Sequence, residues 1–278
     1  MLRRDDAAAW WAAHGPAVLV EVIATRGSAP RERGTRMLVA ADGGSLGTIG
    51  GGHLEWQAMA QAREMLGADH GGQAPPHTQR YALGASLGQC CGGEVTLAFE
   101  RLAASHLATW PAPQPMFHLV LFGAGHVGRA VAALLARIDV SVTWVDGRDD
   151  AFPEALPPGG PWPAHIARVA CDALQAEVEA APAGAFYLVM THQHDLDLAL
   201  AQAILTRGDF GFFGMIGSET KKRRFTHRLA ERGVPVAALA RMTCPIGLPG
   251  IGDKSPEVIA IAVVAQLLQA AGGGVGPR

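Results

Sequence analysis

The sequence has little excess charge of either sign. Its 278 residues include 23 lysines and arginines against 25 aspartates and glutamates, which gives a formal net charge of −2. A chain so close to neutrality lacks the strongly basic surface on which nucleic-acid binding depends. We therefore expect no nucleic-acid partner.

Long apolar segments and paired cysteines are also scarce. The longest apolar run, 258–265, is far shorter than the ~20 residues of a membrane-spanning helix, and no apolar segment of a signal peptide follows Arg3 and Arg4. The four cysteines form no CxxC pair, and adjacent Cys90 and Cys91 would bridge only through a strained ring. Free thiols indicate a reducing compartment. The sequence thus predicts a cytoplasmic protein with no membrane partner.

The chain is long and apolar enough for two folded domains. Hydrophobic residues make up 49% of it and charged residues 17%, and domains usually run to ~100–150 residues. The proline-rich stretch 110–116 cannot be helical, because each proline lacks an N–H and restricts the residue before it. We predict a smaller N-terminal α+β domain over 1–109, a linker over 110–116 and a second domain over 117–278.

Short apolar strands alternate with helical segments from residue 117 onward. The predicted strands span 117–122, 140–145, 166–170, 185–190 and 210–216. Such alternation predicts an α/β domain with a Rossmann-like, doubly wound parallel sheet. A last helix begins after Ser255 with Pro256 at its first position. Its apolar residues run nearly all round, which predicts that it is buried.

A glycine-rich loop, GAGHVG, follows the first of these strands and opens a helix. Gly123, Gly125 and Gly128 would let the backbone approach a phosphate, which the N–H groups at the helix start would bind. Asp146 ends the next strand, 18 residues past Gly128, where it would accept hydrogen bonds from ribose hydroxyls. The alternative is that the glycines only permit a tight turn. His126 places an imidazole where a phosphate would lie, so the ligand need not be ordinary NAD.

Two further loops follow predicted strands in this domain. His192 and His194 lie in THQHD, where they would contact a ligand; a metal site is the weaker interpretation, since two histidines two residues apart on a loop are poor evidence. Gly217, Ser218 and Lys221 lie in GSETKKRR. Four cations at a helix start interact unfavourably with the helix dipole, and an anion bound there would offset this cost. A solvated basic face is an equally good interpretation.

The first domain has its own glycine-flanked polar residues. Gly50, Gly51 and Gly52 join a strand to a helix whose first turn contains Glu55. That carboxylate would pair with a guanidine-like edge such as that of a pterin, or it would only stabilise the helix dipole. Cys90 and Cys91 precede two glycines, and a thiolate there suits a soft metal or a sulfur atom. A buried, inert thiol is the competing interpretation.

In this order the motifs resemble the xanthine dehydrogenase accessory protein (XdhC/CoxI) family. They are GSAPRERGTRMLV, GTIGGGHLE and LGQCCGG in the first domain, and FGAGHVGRA, VDGRDD, THQHDLD, GMIGSETKKRRF and CPIGLPGIGDKSPEVIAIAV in the second. The family's CGG element aligns on Cys91, which the resemblance makes the thiol for a molybdenum or sulfide contact. The acid of its GGGxxE element aligns on Glu55.

The resemblance implies a cytoplasmic chaperone of the molybdenum cofactor rather than an enzyme. Such a protein binds molybdopterin, with or without an added nucleotide, and supports replacement of an oxo ligand by sulfide with a cysteine desulfurase. It then inserts the cofactor into a molybdenum hydroxylase such as xanthine dehydrogenase. We also expect a homo-oligomer. The alternative is an NAD(P)-dependent oxidoreductase that uses the second domain, with His192 or His194 as proton donor.

Overall fold

The chain divides into two compact units, Met1–Pro113 and Gln114–Arg278. The computed structural model describes residues 2–67, 75–84, 92–112 and 114–273. Trp110, which the sequence placed in the linker, is buried in the first unit, and its indole N–H donates to the carbonyl oxygen of Leu2 at 3.1 Å. The division therefore falls after this tryptophan, within the proline-rich stretch.

An antiparallel sheet forms the first unit. Among its described residues the sheet has five strands in the order β3-β2-β1-β5-β4. The elements in chain order are α1 (Arg4–His14), β1 (Ala17–Arg26), β2 (Arg36–Ala40), β3 (Ser45–Gly47), α2 (Gly52–Gly67), β4 (His77–Ala82), β5 (Glu94–Arg101) and α3 (Ala104–Ala108). Helix α2 packs on one face of the sheet through Leu54, Ala58 and Ala62. Helix α1 contributes Ala7 to a second apolar cluster. The predicted α+β class is confirmed.

A parallel sheet with helices on both faces forms the second unit. Its elements are β6 (His118–Phe122), α4 (His126–Leu135), β7 (Ser141–Asp146), β8 (Ile166–Ala170), α5 (Leu174–Ala180), β9 (Phe186–Val189), α6 (His194–Arg207), β10 (Phe212–Met215), α7 (Glu219–Glu231), α8 (Val236–Leu239), β11 (Met242–Thr243) and α9 (Pro256–Gly272). Over residues 114–273 the sheet order is β11-β10-β9-β6-β7-β8. Taken from β8 and numbered within this sheet, that is 3-2-1-4-5-6, the order of dinucleotide-binding folds. The Rossmann-like prediction is confirmed.

Two separate apolar layers cover this sheet. Helices α4 and α9 contribute Val131 and Val263 to one layer, while α5 to α8 contribute residues such as Leu198 and Phe225 to the other. The prediction that α9 is buried all round is wrong, because Ile261 is 54% exposed. One side of α9 packs on α4 and the sheet while the other faces outward. Among the described residues, no helix has the combined length and apolar character that crossing a membrane requires.

Candidate functional site

A cavity opens at the carboxyl ends of β6, β7 and β9. Strand order reverses between β6 and β9, and ligands of doubly wound sheets bind at such switch points. The cavity has a volume of about 310 Å³. Its lining comes from the loop after β6 and from the ends of β7 and β9: Gly123, Ala124, Gly125, His126, Arg129, Asp146, Arg148, Met190, Thr191 and His192. A smaller hollow of about 130 Å³ shares several of these residues.

The three glycines of the loop have different physical roles. A Cβ on Gly123, whose φ is +111°, would lie 2.5 Å from the carbonyl oxygen of Met190, and a Cβ on Gly128 would lie 2.1 Å from that of Gly123. Close packing of strand, loop and helix therefore requires both. A Cβ on Gly125 would meet no atom within 4 Å. The protein's own packing leaves that position open, and the backbone there lines the cavity.

Asp146 lies beneath the loop with both carboxylate oxygens already hydrogen-bonded. Its Oδ2 accepts from the Ala124 amide at 2.7 Å and from Arg148 Nη2 at 3.1 Å. Its Oδ1 accepts from the Arg148 amide at 3.1 Å and from Arg148 Nε at 2.9 Å. Burial alone would raise the pKa of Asp146, but these hydrogen bonds and the guanidinium charge lower it below its ordinary value. The carboxylate is thus held ionised by the chain itself.

Two arginines that sequence reasoning passed over also line the cavity. The Arg148 side chain is half exposed although it forms a salt bridge with Asp146. Arg129 is held in place by carbonyl oxygens, with Nε donating to Ala124 at 2.9 Å and Nη2 to Ala151 at 2.7 Å. Both lie within quoted motifs, FGAGHVGRA and VDGRDD. The signal that marks them in the sequence is their positive charge near the glycines of the loop and near Asp146.

The histidines singled out from the sequence are not all brought together. His126 and His192 are exposed and line the cavity. His194 begins α6 and is not among the residues that line either hollow. Within the described ranges, no group of three histidine, cysteine, aspartate or glutamate side chains is arranged to hold a metal ion. The loop after β9 is a polar wall of the cavity.

At the junction between β10 and α7, Ser218 and Lys221 form hydrogen bonds within the protein. Ser218 caps α7, because its hydroxyl oxygen accepts the Lys221 amide at 3.2 Å. The Lys221 ammonium donates inward, to Asp197 Oδ2 at 2.6 Å and to the Ile216 carbonyl at 2.9 Å. Gly217, Ser218 and Lys221 are not among the lining residues of the cavity. Their contact with a ligand stays a prediction, and in this conformation protein acceptors engage the Lys221 ammonium.

In the first unit, the glycine turn before α2 is braced by Glu55. Gly50, Gly51 and Gly52 all have positive φ, at +131°, +75° and +63°, a backbone that other residues rarely adopt. Glu55 Oε2 accepts the Gly51 amide at 2.7 Å and the Thr48 hydroxyl at 2.8 Å. One carboxylate oxygen therefore fixes the turn, and bidentate pairing with a pterin stays a prediction.

The turn has a close neighbour in the segment 27–31. A Cβ on Gly50 would lie 2.4 Å from Pro30 Cγ, and one on Gly93 would lie 2.1 Å from the Ser28 carbonyl oxygen. Gly50 of the GTIGGGHLE motif and Gly93 of the LGQCCGG motif, some 40 residues apart in the sequence, thus both lie against this segment. Cys90 and Cys91 lie outside the described residues, so the predicted metal or sulfide contact of Cys91 stays a prediction.

Several known proteins are similar to this chain. The chain is 32% identical to the uncharacterized protein YqeB of Escherichia coli K12, over 91% of this chain and 43% of YqeB. A shorter region, 32% of this chain and 27% of the relative, is 34% identical to the molybdenum cofactor insertion chaperone PaoD of the same organism. The chain thus spans less than half the length of either relative.

Two further matches cover nearly whole proteins. A probable subunit of the xanthine dehydrogenase of Bacillus subtilis is 23% identical over 91% of this chain and 92% of that protein. A crystal structure of a xanthine dehydrogenase from Bacillus halodurans superposes with a TM-score of 0.72 at 20% identity, over 97% of this chain and 96% of that one. At that identity the superposition establishes the fold alone.

Family assignment rests on two matched segments. The XdhC Rossmann domain family matches residues 119–267, which is more than half of the chain. The XdhC and CoxI family matches residues 10–82. Because both segments match in their expected order, the resemblance seen in the motifs is confirmed, and the chain belongs to the XdhC and CoxI family.

Proposed function

We propose that this protein is a carrier of the molybdenum cofactor: it binds molybdopterin, protects it and delivers it to a molybdenum hydroxylase of the xanthine dehydrogenase type. Family membership supports this function, as does the similarity to PaoD, a molybdenum cofactor insertion chaperone. Such a carrier needs to bind and release its cargo, and no chemical turnover is required. It would work in the cytoplasm, where a reducing environment spares thiols and sulfide.

One structural observation carries the binding part of the proposal. The backbone at Gly125 is open to a cavity into which Arg129 and Arg148 both face. Molybdopterin ends in a phosphate, and unpaired amides at a helix start together with arginines are the donors that a phosphate prefers. The proposed site for the phosphate end of the cargo is thus the cavity residues Gly123, Gly125, His126, Asp146 and His192, together with Gly128 of the same glycine loop.

The glycine turn of the first unit is proposed, by itself, as a pterin contact. Gly50, Gly51, Gly52 and Glu55 would meet the pterin, whose ring presents a guanidine-like edge to an acid. Glu55 Oε1 has no hydrogen-bond partner among the described residues, which leaves it one acceptor for such an edge. Cys91 is the proposed thiol beside the molybdenum or its sulfide, since a thiolate is a soft ligand.

Finer steps of the cycle are part of the same proposal. While the cofactor is bound, one oxo ligand of molybdenum would be exchanged for a terminal sulfide whose sulfur comes from a cysteine desulfurase. Gly217, Ser218 and Lys221 would form part of the cargo-binding surface of the second unit, as would His194. The protein would act as a homo-oligomer, with its two domains joined within the proline-rich stretch 110–116.

The test is the small molecule that purifies with the protein. Protein from cells that synthesise molybdopterin should release, after denaturation and oxidation, a fluorescent pterin at about one molecule per chain. Gly125→Val should fold normally, because its Cβ has open space and its φ of −72° is not strained, yet it should retain little pterin. Gly272→Val is the matched control, since that glycine also has open space but ends α9, away from the cavity.

A second function has one specific observation in its favour. The strand order and the open glycine loop are those of nicotinamide-binding folds, and His192 at the cavity would then donate a proton. Stoichiometric NAD or NADP in the purified protein, with no pterin, would replace the carrier by this NAD(P)-dependent oxidoreductase. Pterin without nicotinamide would exclude the oxidoreductase.

A further inference from the structure

Asp146 occupies the position that reads a ribose in dinucleotide-binding sheets, but its acceptors are filled. A carboxylate offers about four lone-pair positions, and the chain supplies four donors, of which three belong to Arg148. Only 6% of the residue is exposed. A ribose diol that needed both oxygens would have to displace Arg148 first, so the closed pair disfavours a diol at this point.

Arg148 presents its remaining donors outward. The guanidinium has five N–H bonds, and Asp146 takes the Nε–H and one from Nη2. Nη1 has no hydrogen-bond partner among the described residues, the side chain is 51% exposed, and it lines both the cavity and the smaller hollow. The acid holds the arginine in one orientation, which leaves the other edge of the guanidinium exposed beside the cavity and the smaller hollow.

The charge around the cavity favours an anion. Arg129 and Arg148 line it against the single acid Asp146, and Asp146 is neutralised by Arg148. No acidic group pairs with Arg129 within the described ranges, where backbone carbonyls hold it. Asp150 adds a weak attraction to Arg148, but it is exposed and does not line the cavity. Arg129, Arg148 and Asp146 together give the lining one net positive charge.

We infer that Arg148, oriented by Asp146, is the specificity-determining residue of this cavity and selects ligands that present a phosphomonoester, rather than a ribose diol, to its free edge. A guanidinium binds a phosphate by two parallel hydrogen bonds. Two kinds of molecule offer this group: a dinucleotide with a 2′-phosphate, and molybdopterin without an added nucleotide. Binding of molybdopterin rests on the proposed function, whereas the preference of the cavity for a phosphomonoester over a ribose diol does not.

The dinucleotide arm compares NADPH with NADH by calorimetric titration of the purified chain stripped of any bound ligand. NADPH should bind at least tenfold more tightly than NADH. Arg148→Ala should abolish this preference, because it removes the phosphate contact and frees one acceptor position on each oxygen of Asp146 for the diol. Arg168→Ala, which replaces an exposed arginine on β8 outside the cavity, should leave the preference unchanged. Equal affinities in the unaltered chain, or an unchanged preference in Arg148→Ala, overturn the inference.

A second experiment, on the bound pterin, distinguishes molybdopterin from a dinucleotide as the source of the phosphate. It also tests the carrier function separately from the selectivity of Arg148. Pterin released from the purified chain should carry a phosphate that alkaline phosphatase removes directly, and Arg148→Ala should retain at most a tenth of it. Pterin attached to a nucleotide and unaffected by Arg148→Ala would leave the carrier function standing and overturn the selectivity. An Arg148-dependent preference for NADPH in a chain that yields no pterin would support the selectivity and overturn the carrier function. Absence of both pterin and NADPH binding would overturn both.

Discussion

The Lys221 ammonium lies 2.6 Å from Oδ2 of Asp197, which is fully buried. Oδ1 of the same carboxylate accepts the Thr191 hydroxyl at 2.6 Å. The start of α7 is thereby tied to α6 and to the loop after β9, whose His192 lines the cavity. The basic start of α7 that suggested an anion site thus includes one cation with an internal structural role.

Breaking this pair should cost much stability. Lys221→Met would leave the Asp197 carboxylate buried without its counter-charge, and loss of one partner of a buried pair typically costs about 3–5 kcal/mol. The free energy of unfolding in urea measures the loss. Glu231→Gln, which breaks the exposed His227–Glu231 pair, is the control and should change little. Equal small effects from both variants would contradict the structural role of the Lys221 pair.

Asp146 should make stability depend on pH in a defined direction. Its pKa is lowered in the folded chain, while in the unfolded chain it is about 3.9. The stabilisation that ionised Asp146 provides is therefore fully present above about pH 4 and is lost as pH falls through the lower folded-state value. The difference in unfolding free energy between the unaltered chain and Asp146→Asn should shrink between pH 5 and about pH 2.

A control separates this effect from general acid denaturation. Glu154→Gln replaces an exposed acid outside the cavity, and its stability should follow that of the unaltered chain across the same pH range. A difference for Asp146→Asn that stays constant or widens on acidification would show that the ionised carboxylate does not stabilise the fold.

Glu55 should matter to the glycine turn before any ligand binds. Glu55→Ala removes the acceptor of the Gly51 amide and the Thr48 hydroxyl, and hydrogen bonds to a charged group contribute ~1.5–3 kcal/mol each. We expect a loss of about 2 kcal/mol in unfolding free energy because the site is only half buried. Glu64→Ala, on an exposed position of α2, is the matched control. An equal effect of the two substitutions would mean that Glu55 does not brace the turn.

Local sequence patterns predicted most elements because each pattern is a short-range property. Apolar runs followed by Gly123 and by the THQHD loop marked β6 and β9, and helices with periodic apolar faces followed them. Strand β4 escaped this reasoning, since HTQRYA contains few apolar residues and is held mainly by its pairing with β5. Tertiary pairing, which no local pattern records, made it a strand.

The order of residues along this chain was enough to determine its fold class, its glycine loop and its family, because strand periodicity, helix starts and motif spacing are all written locally. Which polar groups would be free to meet a ligand was decided only by the folded chain. Asp146, Glu55 and Lys221 were equally plausible as ligand contacts until folding placed hydrogen-bond partners beside them. Hydrogen bonds from Arg148 to Asp146, from the Gly51 amide to Glu55 and from Lys221 to Asp197 then engaged their charges, because folding fixed each donor beside its acceptor.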